Sequence, residues 1–227
     1  IPLWTPATPK AGNSARLKNY QSSTKGDELV YWPSCAARNF APPRGSDQSA
    51  LPDVILRLLE KVGYKVKLAY NEGLCCGQPF ESKGHRETGE YKRRELQTQL
   101  MELSDGGRIP ILADTSPCVL RLNQSDPLFK VYDPIQFSLQ HLLGRIHLNT
   151  VAEQVALHIT CSTRKMGLAK QAEQLVKRCA ERVVIPEGIE CCGFAGDKGF
   201  TQPELNASAL SSLQTQVSGC SHGYSTS

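Results

Sequence analysis

The sequence of 227 residues lacks the features that would place a chain across a membrane or outside the cell. No apolar run approaches the roughly 20 residues of a membrane-spanning helix. The first residues also lack the basic stretch followed by an apolar stretch that is typical of a signal peptide. We therefore expect a cytoplasmic chain that would touch a membrane only from its side.

A strong excess of charge is also absent. Lys and Arg number 26 and Asp and Glu number 22, which gives a net charge of +4. A charge this small does not argue for a nucleic-acid partner. Apolar residues make up 40% and charged residues 21% of the chain, as in an ordinary globular protein that buries a sizeable core.

Two motifs that would carry known chemistry are missing as well. No G-x-G-x-x-G stands between a predicted strand and a predicted helix, so a dinucleotide or flavin site is not expected within this chain. The five histidines show no metal-binding spacing such as H-x-x-x-H. His158 lies on an apolar predicted strand, which favours a hydrogen-bonded core residue over a metal ligand.

The sequence is instead rich in cysteine. The nine cysteines are Cys35, Cys75, Cys76, Cys118, Cys161, Cys179, Cys191, Cys192 and Cys220. Without a secretion signal, a disulfide framework is a poor interpretation, because the cytosol keeps thiols reduced. Two adjacent cysteines such as Cys75 and Cys76 can pair with each other only in a strained ring. Adjacent thiolates therefore favour a metal ion or a metal cluster.

One pair of motifs occurs twice in the chain. Residues 72–84 read EGLCCGQPFESKG, and residues 187–199 read EGIECCGFAGDKG. Each copy is preceded by a Cys-x-x-Arg motif, in which Arg38 and Arg164 take equivalent places. The same two motifs in the same order indicate an internal duplication. The two arginines could offset the charge of nearby thiolates or form salt bridges on a helix surface.

Strand-like and helix-like segments alternate in both halves of the sequence. Short apolar or alternating runs such as ELVYW, YKVKLAY and QVALHIT predict strands, and segments with apolar residues three or four apart predict helices between them. This order predicts an α/β fold with two pseudo-repeated, Rossmann-like halves, each built on a parallel sheet. The expected domains are a linker or docking arm at 1–27, a first half at 28–150 and an incomplete second half at 151–227.

The cysteines follow the predicted strands at corresponding places. The candidate ligands are Cys35, Cys75, Cys76 and Cys118 in the first half and Cys161, Cys191 and Cys192 in the second. The carboxyl ends of parallel strands meet at one edge of an open α/β sheet, where ligands bind. We therefore expect a thiol site at this edge of each half, suited to iron, an iron–sulfur cluster or zinc. Cys179, on the apolar side of a predicted helix, is expected to fill the core.

The repeated pattern Cys…Cys-Cys-Gly…Cys resembles the cysteine-rich (CCG) domain family. That family includes the catalytic subunit of heterodisulfide reductase and the iron–sulfur subunit of glycolate oxidase. The segments YWPSC, VYDPIQFSLQHLL and GIECCGFAGDKGFTQPELN look most similar to the carboxyl-terminal part of bacterial respiratory D-lactate dehydrogenases, which contain FAD and iron–sulfur centres. The resemblance covers about residues 28–227.

This resemblance implies an electron-transferring part of an oxidoreductase. FAD on an upstream domain outside this chain would oxidise a D-2-hydroxy acid, D-lactate in particular. Electrons would then pass through iron–sulfur centres, including ferredoxin-like domains, toward a quinone at the inner face of the cytoplasmic membrane. The first four candidate cysteines would ligate one cluster of the 4Fe-4S type, and the other three would belong to a second site. The isolated chain would not oxidise a hydroxy acid.

One departure from the family pattern leaves the bound group open. Heterodisulfide reductase has a further cysteine three residues after the last ligand, whereas this chain has Arg121 at the third position after Cys118. Four thiols suit an ordinary iron–sulfur cluster or a zinc ion that stabilises a structural or docking module. They disfavour heterodisulfide-like thiol chemistry, which stays a third alternative.

A second departure concerns the end of the second half. No cysteine stands where Cys118 stands in the first half, and Cys220 falls at the end of a predicted helix rather than after a strand. We therefore expect Cys220 not to be a ligand, and we expect the last strand of the second half to be missing. The first residue is Ile1 rather than Met, which is compatible with cuts at both ends of a longer polypeptide.

Overall fold

The computed structural model describes residues 10–12, 15–42, 45, 47–126, 129–194 and 196–226. The chain divides into two units, one of Pro9–Phe137 and one that contains Ser138–Ser227. Each unit has a three-stranded parallel sheet with helices in the connections. The predicted α/β fold with two Rossmann-like halves is therefore confirmed, whereas the domain boundaries at residues 28 and 151 stay predictions.

The first unit is built around its central strand. β1 (Glu28–Trp32) pairs in parallel with β2 (Lys65–Leu68) on one side and with β3 (Ile111–Ala113) on the other. The four residues from Leu29 to Trp32 have no exposed surface. Such complete burial is typical of a central parallel strand that is covered on both faces. The apolar run ELVYW thus forms the core of this unit.

Helices of the first unit connect and cover these strands. Among the described residues they are α1 (Ala15–Lys18), α2 (Cys35–Asn39), α3 (Leu51–Lys61), α4 (Gln78–Ser82), α5 (Arg86–Leu103), α6 (Ser116–Ser125) and α7 (Pro134–Phe137). In α3, Leu56 and Leu59 are buried while Val54 is exposed, so one face of the helix carries its packing. The helix ends before Gly63, whose φ of +88° lies in the left-handed region that favours glycine.

Part of the segment predicted to be a linker packs on the first unit. Residues 1–9, 13 and 14 of this segment lie outside the described residues. Leu17, on α1, is buried, and the Tyr20 hydroxyl donates a hydrogen bond to Glu60 Oε1 at 2.7 Å. These contacts attach the described end of the segment to α3.

The second unit repeats the strand order of the first. β4 (Val151–His158) lies between β5 (Ala180–Val184) and β6 (His222–Ser225), and both neighbours are parallel to it. Its α-helices within the described residues are α8 (Cys161–Lys165), α9 (Ala169–Lys177), α10 (Pro203–Ala209) and α11 (Leu213–Gln216). No helix in the described part of either unit combines the length and the apolar character that a membrane crossing needs.

Strand β6 corrects one of the predictions from sequence. We expected the last strand of the second half to be missing, but β6 pairs with β4 over four residues, from His222 to Ser225. The segment HGYS is exposed at every position, so it does not look like a buried parallel strand in the sequence. Backbone hydrogen bonds to β4, rather than apolar side chains, account for its place in the sheet. The sheet of the second half therefore contains the strand that was expected to be missing.

Asp133 is a buried carboxyl group at the start of α7. Its Oδ1 atom accepts a hydrogen bond from the Ile135 N–H at 2.8 Å, and its Oδ2 atom has no partner among the described residues. Burial raises the pKa of Asp133 to about 6, although the backbone N–H groups of Ile135 and Gln136 oppose this rise. The folded protein therefore favours the neutral acid.

This raised pKa predicts that Asp133 contributes less stability as the pH rises. A carboxyl group whose pKa is higher in the folded state contributes its full stability below its unfolded pKa of 3.8. This contribution is lost as the pH rises through the folded pKa of about 6. Relative to Asp133→Asn, the free energy of unfolding of the wild type should fall by about 3 kcal/mol over this range. Urea unfolding of both proteins from acidic to neutral pH measures this difference, and parallel pH profiles would contradict it.

Candidate metal centre

Four cysteines of the first unit lie at the carboxyl ends of its strands. Cys35 is the first residue of α2, Cys75 and Cys76 lie in the loop after β2, and Cys118 is in the first turn of α6. The Sγ atoms of Cys76 and Cys118 are 3.1 Å apart, although the two residues are separated by 42 positions. Cys35 and Cys75, and likewise Cys75 and Cys76, lie close enough to shift each other's pKa. The structure therefore brings together the four thiols predicted for the first site.

These four thiols differ in exposure and in protonation. Cys76 is 1% exposed and Cys118 is 6% exposed, whereas Cys35 and Cys75 are half-buried. Hydrogen bonds from Cys35 and Cys76 hold the pKa of Cys75 well below the usual value of a thiol. The pKa of Cys35 and that of Cys76 are raised, because each donates a hydrogen bond to a neighbouring sulfur and because burial disfavours the charge. Cys75 therefore loses its proton more readily than Cys35 or Cys76.

A tight turn presents the adjacent pair of cysteines. Gly77 has a φ of +84°, and its N–H donates a hydrogen bond to Cys75 Sγ at 3.3 Å. A Cβ atom at Gly77 would collide with the carbonyl oxygen of Gly89 on α5. The glycine of the Cys-Cys-Gly motif is therefore required by the backbone conformation and by the close approach of α5.

Arg38 secures the loop that precedes Cys75. Its buried guanidinium donates hydrogen bonds to the carbonyl oxygens of Asn71 at 2.7 Å and Leu74 at 2.8 Å. It also lies 5.4 Å from the centre of the Tyr70 ring, within the range of a cation–π interaction. Its positive charge adds to the lowering of the Cys75 pKa. This geometry favours the electrostatic role of Arg38 over a salt bridge on the helix surface.

Arg121 ties α6 to the Cys-Cys-Gly turn. Its Nε atom donates a hydrogen bond to the Cys76 carbonyl oxygen at 2.8 Å, and its guanidinium forms an ion pair with Glu81 of α4. Arg121 stands three residues after Cys118 on the same helix. At the position of the further cysteine in heterodisulfide reductase, this chain therefore has a cation that holds the backbone of Cys76.

Asp114 joins the loops that carry Cys35 and Cys118, and it was not among the predicted site residues. Its Oδ2 atom accepts a hydrogen bond from the Tyr31 hydroxyl at 2.7 Å. Its Oδ1 atom accepts one from the Ser34 N–H and one from the Thr115 hydroxyl, each at 3.0 Å. A charged residue directly after the apolar run IPILA is the sequence signal that could have pointed to it.

The second unit places its candidate cysteines similarly but does not join them. Cys161 is the first residue of α8, and Cys191 and Cys192 lie in the loop after β5. All three are exposed, and no hydrogen bond links their thiols in the part of the chain that the structure describes. Gly193 has a φ of +73°, and its N–H donates a hydrogen bond to Cys191 Sγ at 3.4 Å. The turn geometry of Gly77 therefore recurs here.

Thr226 takes the place of Asp114 in the second unit. β3 and β6 pair with their central strands in the same register, so Asp114 and Thr226, the first residues after these strands, correspond. The Thr160 N–H donates a hydrogen bond to Thr226 Oγ1 at 3.0 Å, as the Ser34 N–H does to Asp114. The two units therefore share this hydrogen bond but not the charge of its acceptor.

The two remaining cysteines lie away from the carboxyl ends of the strands. Cys220 comes just before β6, and its Sγ atom is 3.7 Å from Gln154 Nε2. Cys220 therefore lies at the amino end of a strand, and its exclusion as a ligand stays a prediction. Cys179 is half-buried in the turn between α9 and β5 rather than on the helix, and burial raises its pKa.

The donor chemistry of the first unit fits a thiolate-bound metal or cluster. Across the described residues, no three His, Cys, Asp or Glu side chains are already arranged as a metal site. In the first unit the thiols of Cys76 and Cys118 are hydrogen-bond partners of each other instead. Metal binding requires thiolates, so this contact would give way to metal–sulfur bonds as the protons leave. Four soft donors at one sheet edge suit an iron–sulfur cluster or zinc.

Two parallel sheets with cysteines after their strands define a duplicated α/β thiol protein. The sequence matches the family described as Cysteine-rich domain (CCG) over residues 29–123 and 155–217, and the chain belongs to this family. The two matched stretches begin within the first strand of each unit. The predicted resemblance is therefore confirmed.

The chain is similar to two proteins that are named for lactate utilization. Lactate utilization protein A 1 of Bacillus mycoides is 24% identical over 193 residues, which are 76% of this chain and 73% of that protein. Lactate utilization protein A of Oceanobacillus iheyensis is 24% identical over 182 residues, 72% of each chain. An uncharacterized iron-sulfur protein of Methanocaldococcus jannaschii is 22% identical over 152 residues, 66% of this chain and 30% of that protein. No solved structure matches the chain significantly.

Proposed function

We propose that this chain is an iron–sulfur electron-transfer protein of lactate oxidation, and that its first unit holds one cluster. The proposed ligands are Cys35, Cys75, Cys76 and Cys118. The observation that carries the proposal is the convergence of these four cysteines at the carboxyl edge of the first sheet, where the Sγ atoms of Cys76 and Cys118 are in contact. The names of the similar proteins, two for lactate utilization and one for an iron–sulfur protein, support it. When bound, a cluster would accept and release single electrons.

The chain's own residues would prepare this site. Arg38 opposes the thiolate charge, and Gly77 and Arg121 fix the turn that carries two of the ligands. Burial of Cys76 and Cys118 keeps water from one side of the site. Cys35 and Cys75 are nearer to solvent, so an electron would enter or leave on their side.

The proposed place of the chain is between a flavin and a quinone. FAD on another domain or subunit would oxidise a D-2-hydroxy acid, D-lactate in particular. This chain, with ferredoxin-like domains, would pass the electrons to a quinone at the inner face of the cytoplasmic membrane. The segments YWPSC and GIECCGFAGDKGFTQPELN, which resemble D-lactate dehydrogenases, support this assignment. By itself the chain would show no lactate dehydrogenase activity.

The second unit is proposed to carry a second, less complete site. Its proposed ligands are Cys161, Cys191 and Cys192, with Arg164 beside the first of them. The Arg164 Nε atom donates a hydrogen bond to the Ile159 carbonyl oxygen at 3.3 Å. Three exposed thiols match the first site in position but not in mutual contact, so we assign the main electron-transfer role to the first unit.

An extract of the source organism lacking this gene tests the proposed function. Reduction of a soluble quinone by D-lactate should be lost in this extract and restored by adding anaerobically purified wild-type protein. Cys75→Ser should not restore it, whereas Cys179→Ser, which changes a cysteine outside the site, should. Restoration with L-lactate alone would reject the assigned substrate, and full D-lactate activity without the chain would reject the electron-transfer role.

A further inference from the structure

A buried carboxylate lies between the loops that hold two of the proposed ligands. Asp114 accepts the Ser34 N–H, which immediately precedes Cys35, and it stands four residues before Cys118. The Tyr31 and Thr115 hydroxyl groups also donate to it. These three donors fix the carboxylate in one position beside the site.

Asp114 forms no direct ion pair among the described residues, and the cation of Arg38 contacts the carbonyl oxygen of Ser34 rather than the carboxylate. Its hydrogen-bond donors are two hydroxyl groups and one backbone N–H, which are neutral. Within the described residues no Lys, Arg or His side chain forms an ion pair with Asp114, in contrast to Glu81, which pairs with Arg121. Donors that stabilise a carboxylate without neutralising it leave its full negative charge in a buried region, where screening by water is weak.

The second unit shows that joining the two loops does not require a charge. At the corresponding position Thr226 accepts the Thr160 N–H with a neutral hydroxyl group. The hydroxyl groups of Thr160 and Thr163 also contact Thr226, at 3.0 and 2.8 Å. A network of neutral groups thus holds the same backbone, so connecting the loops does not by itself require the charge of Asp114.

We propose that Asp114 sets the reduction potential of the first-unit site by holding a fixed negative charge beside it. The proposal rests on the iron–sulfur function proposed above. Reduction adds one electron from the donor to the cluster, and a fixed negative charge close by disfavours this added charge. Asp114 therefore lowers the potential, and Tyr31 moderates this effect through the hydrogen bond from its hydroxyl group.

Redox titration of Asp114→Asn, followed by visible and EPR spectra, tests the proposal. Asparagine has nearly the same shape and retains an acceptor oxygen for the Ser34 N–H. We expect the equilibrium constant for reduction to increase about tenfold. For a one-electron couple this is a rise of about 59 mV in the midpoint potential. Asp105→Asn is the matched control: Asp105 is exposed, lies before β3 at the other edge of the sheet and has a φ of +55° that asparagine tolerates. Its potential should stay at the wild-type value.

Tyr31→Phe provides a second variant that keeps the charge and removes one donor. Its midpoint potential should fall, opposite to the shift of Asp114→Asn. Iron and sulfide are measured in every sample. Wild-type protein without a cluster would reject the proposed function and this inference with it. A loaded wild type with unchanged potentials in both variants would overturn the inference alone. Loss of the cluster in Asp114→Asn with an unchanged potential in Tyr31→Phe would also overturn it, since Asp114 would then act only as a structural link.

Discussion

Gly77→Ala should destabilise the first unit by about 4 kcal/mol, because it combines backbone strain with a steric clash. A left-handed conformation costs a non-glycine residue about 1–2 kcal/mol. The new methyl group would also meet the Gly89 carbonyl oxygen, so the Cys-Cys-Gly turn and α5 would have to move apart. Because this turn positions Cys75 and Cys76, the variant should also bind less iron.

Gly84→Ala is the control that isolates the clash. Gly84 has a φ of +87°, close to that of Gly77, but no atom lies within 4 Å of a Cβ placed there. This variant should lose only the strain, about 1–2 kcal/mol, and keep its iron. Urea unfolding and iron analysis compare the two proteins. Equal losses of stability would contradict the close approach of α5 to the turn.

Arg38→Ala is expected to have the other large effect on stability. The variant would leave the buried carbonyl oxygen of Leu74 without its donor, which costs about 1–3 kcal/mol, and it would also remove the hydrogen bond to the carbonyl oxygen of the exposed Asn71, which is worth about 1 kcal/mol. A total loss of about 3 kcal/mol is therefore expected. The loop before Cys75 would also lose its support and the nearby positive charge, so iron binding should weaken.

Arg164→Ala is the matched control in the duplicated motif. Arg164 is half-buried and makes one long hydrogen bond, to the Ile159 carbonyl oxygen at 3.3 Å. Its removal should cost no more than about 1 kcal/mol. Urea unfolding followed by circular dichroism compares both variants with the wild type. Losses of similar size would show that the contacts of Arg38 do not distinguish the first site from the second.

The fold and the positions of the cysteines could be predicted because both depend on periodic or repeated patterns. The run ELVYW is apolar at nearly every position and became the central strand β1. The two Cys-Cys-Gly motifs revealed the duplication, which the common strand order of the two sheets confirms. The role of the cysteines as ligands stays a prediction, since their contacts with one another show proximity rather than metal binding.

Other features depend on contacts that no local pattern encodes. Asp114 is held near the site by hydrogen bonds from the Tyr31 hydroxyl, 83 positions away in the sequence, and from the Ser34 N–H, 80 positions away. Strand β6 was missed because exposed residues in HGYS are held by backbone hydrogen bonds rather than by apolar burial. A sequence shows which residues can donate or accept a hydrogen bond, but only the fold shows which of them meet.

The most direct test of the central claim is the metal and acid-labile sulfide content of anaerobically purified protein, with visible and EPR spectra. The account predicts about four iron and four sulfide per wild-type chain, as in a 4Fe-4S cluster, and a spectrum that changes on reduction. Cys75→Ser should lose the iron, and Cys179→Ser should retain it. About one zinc per chain with no sulfide and no colour, or iron that persists in Cys75→Ser, would contradict the account.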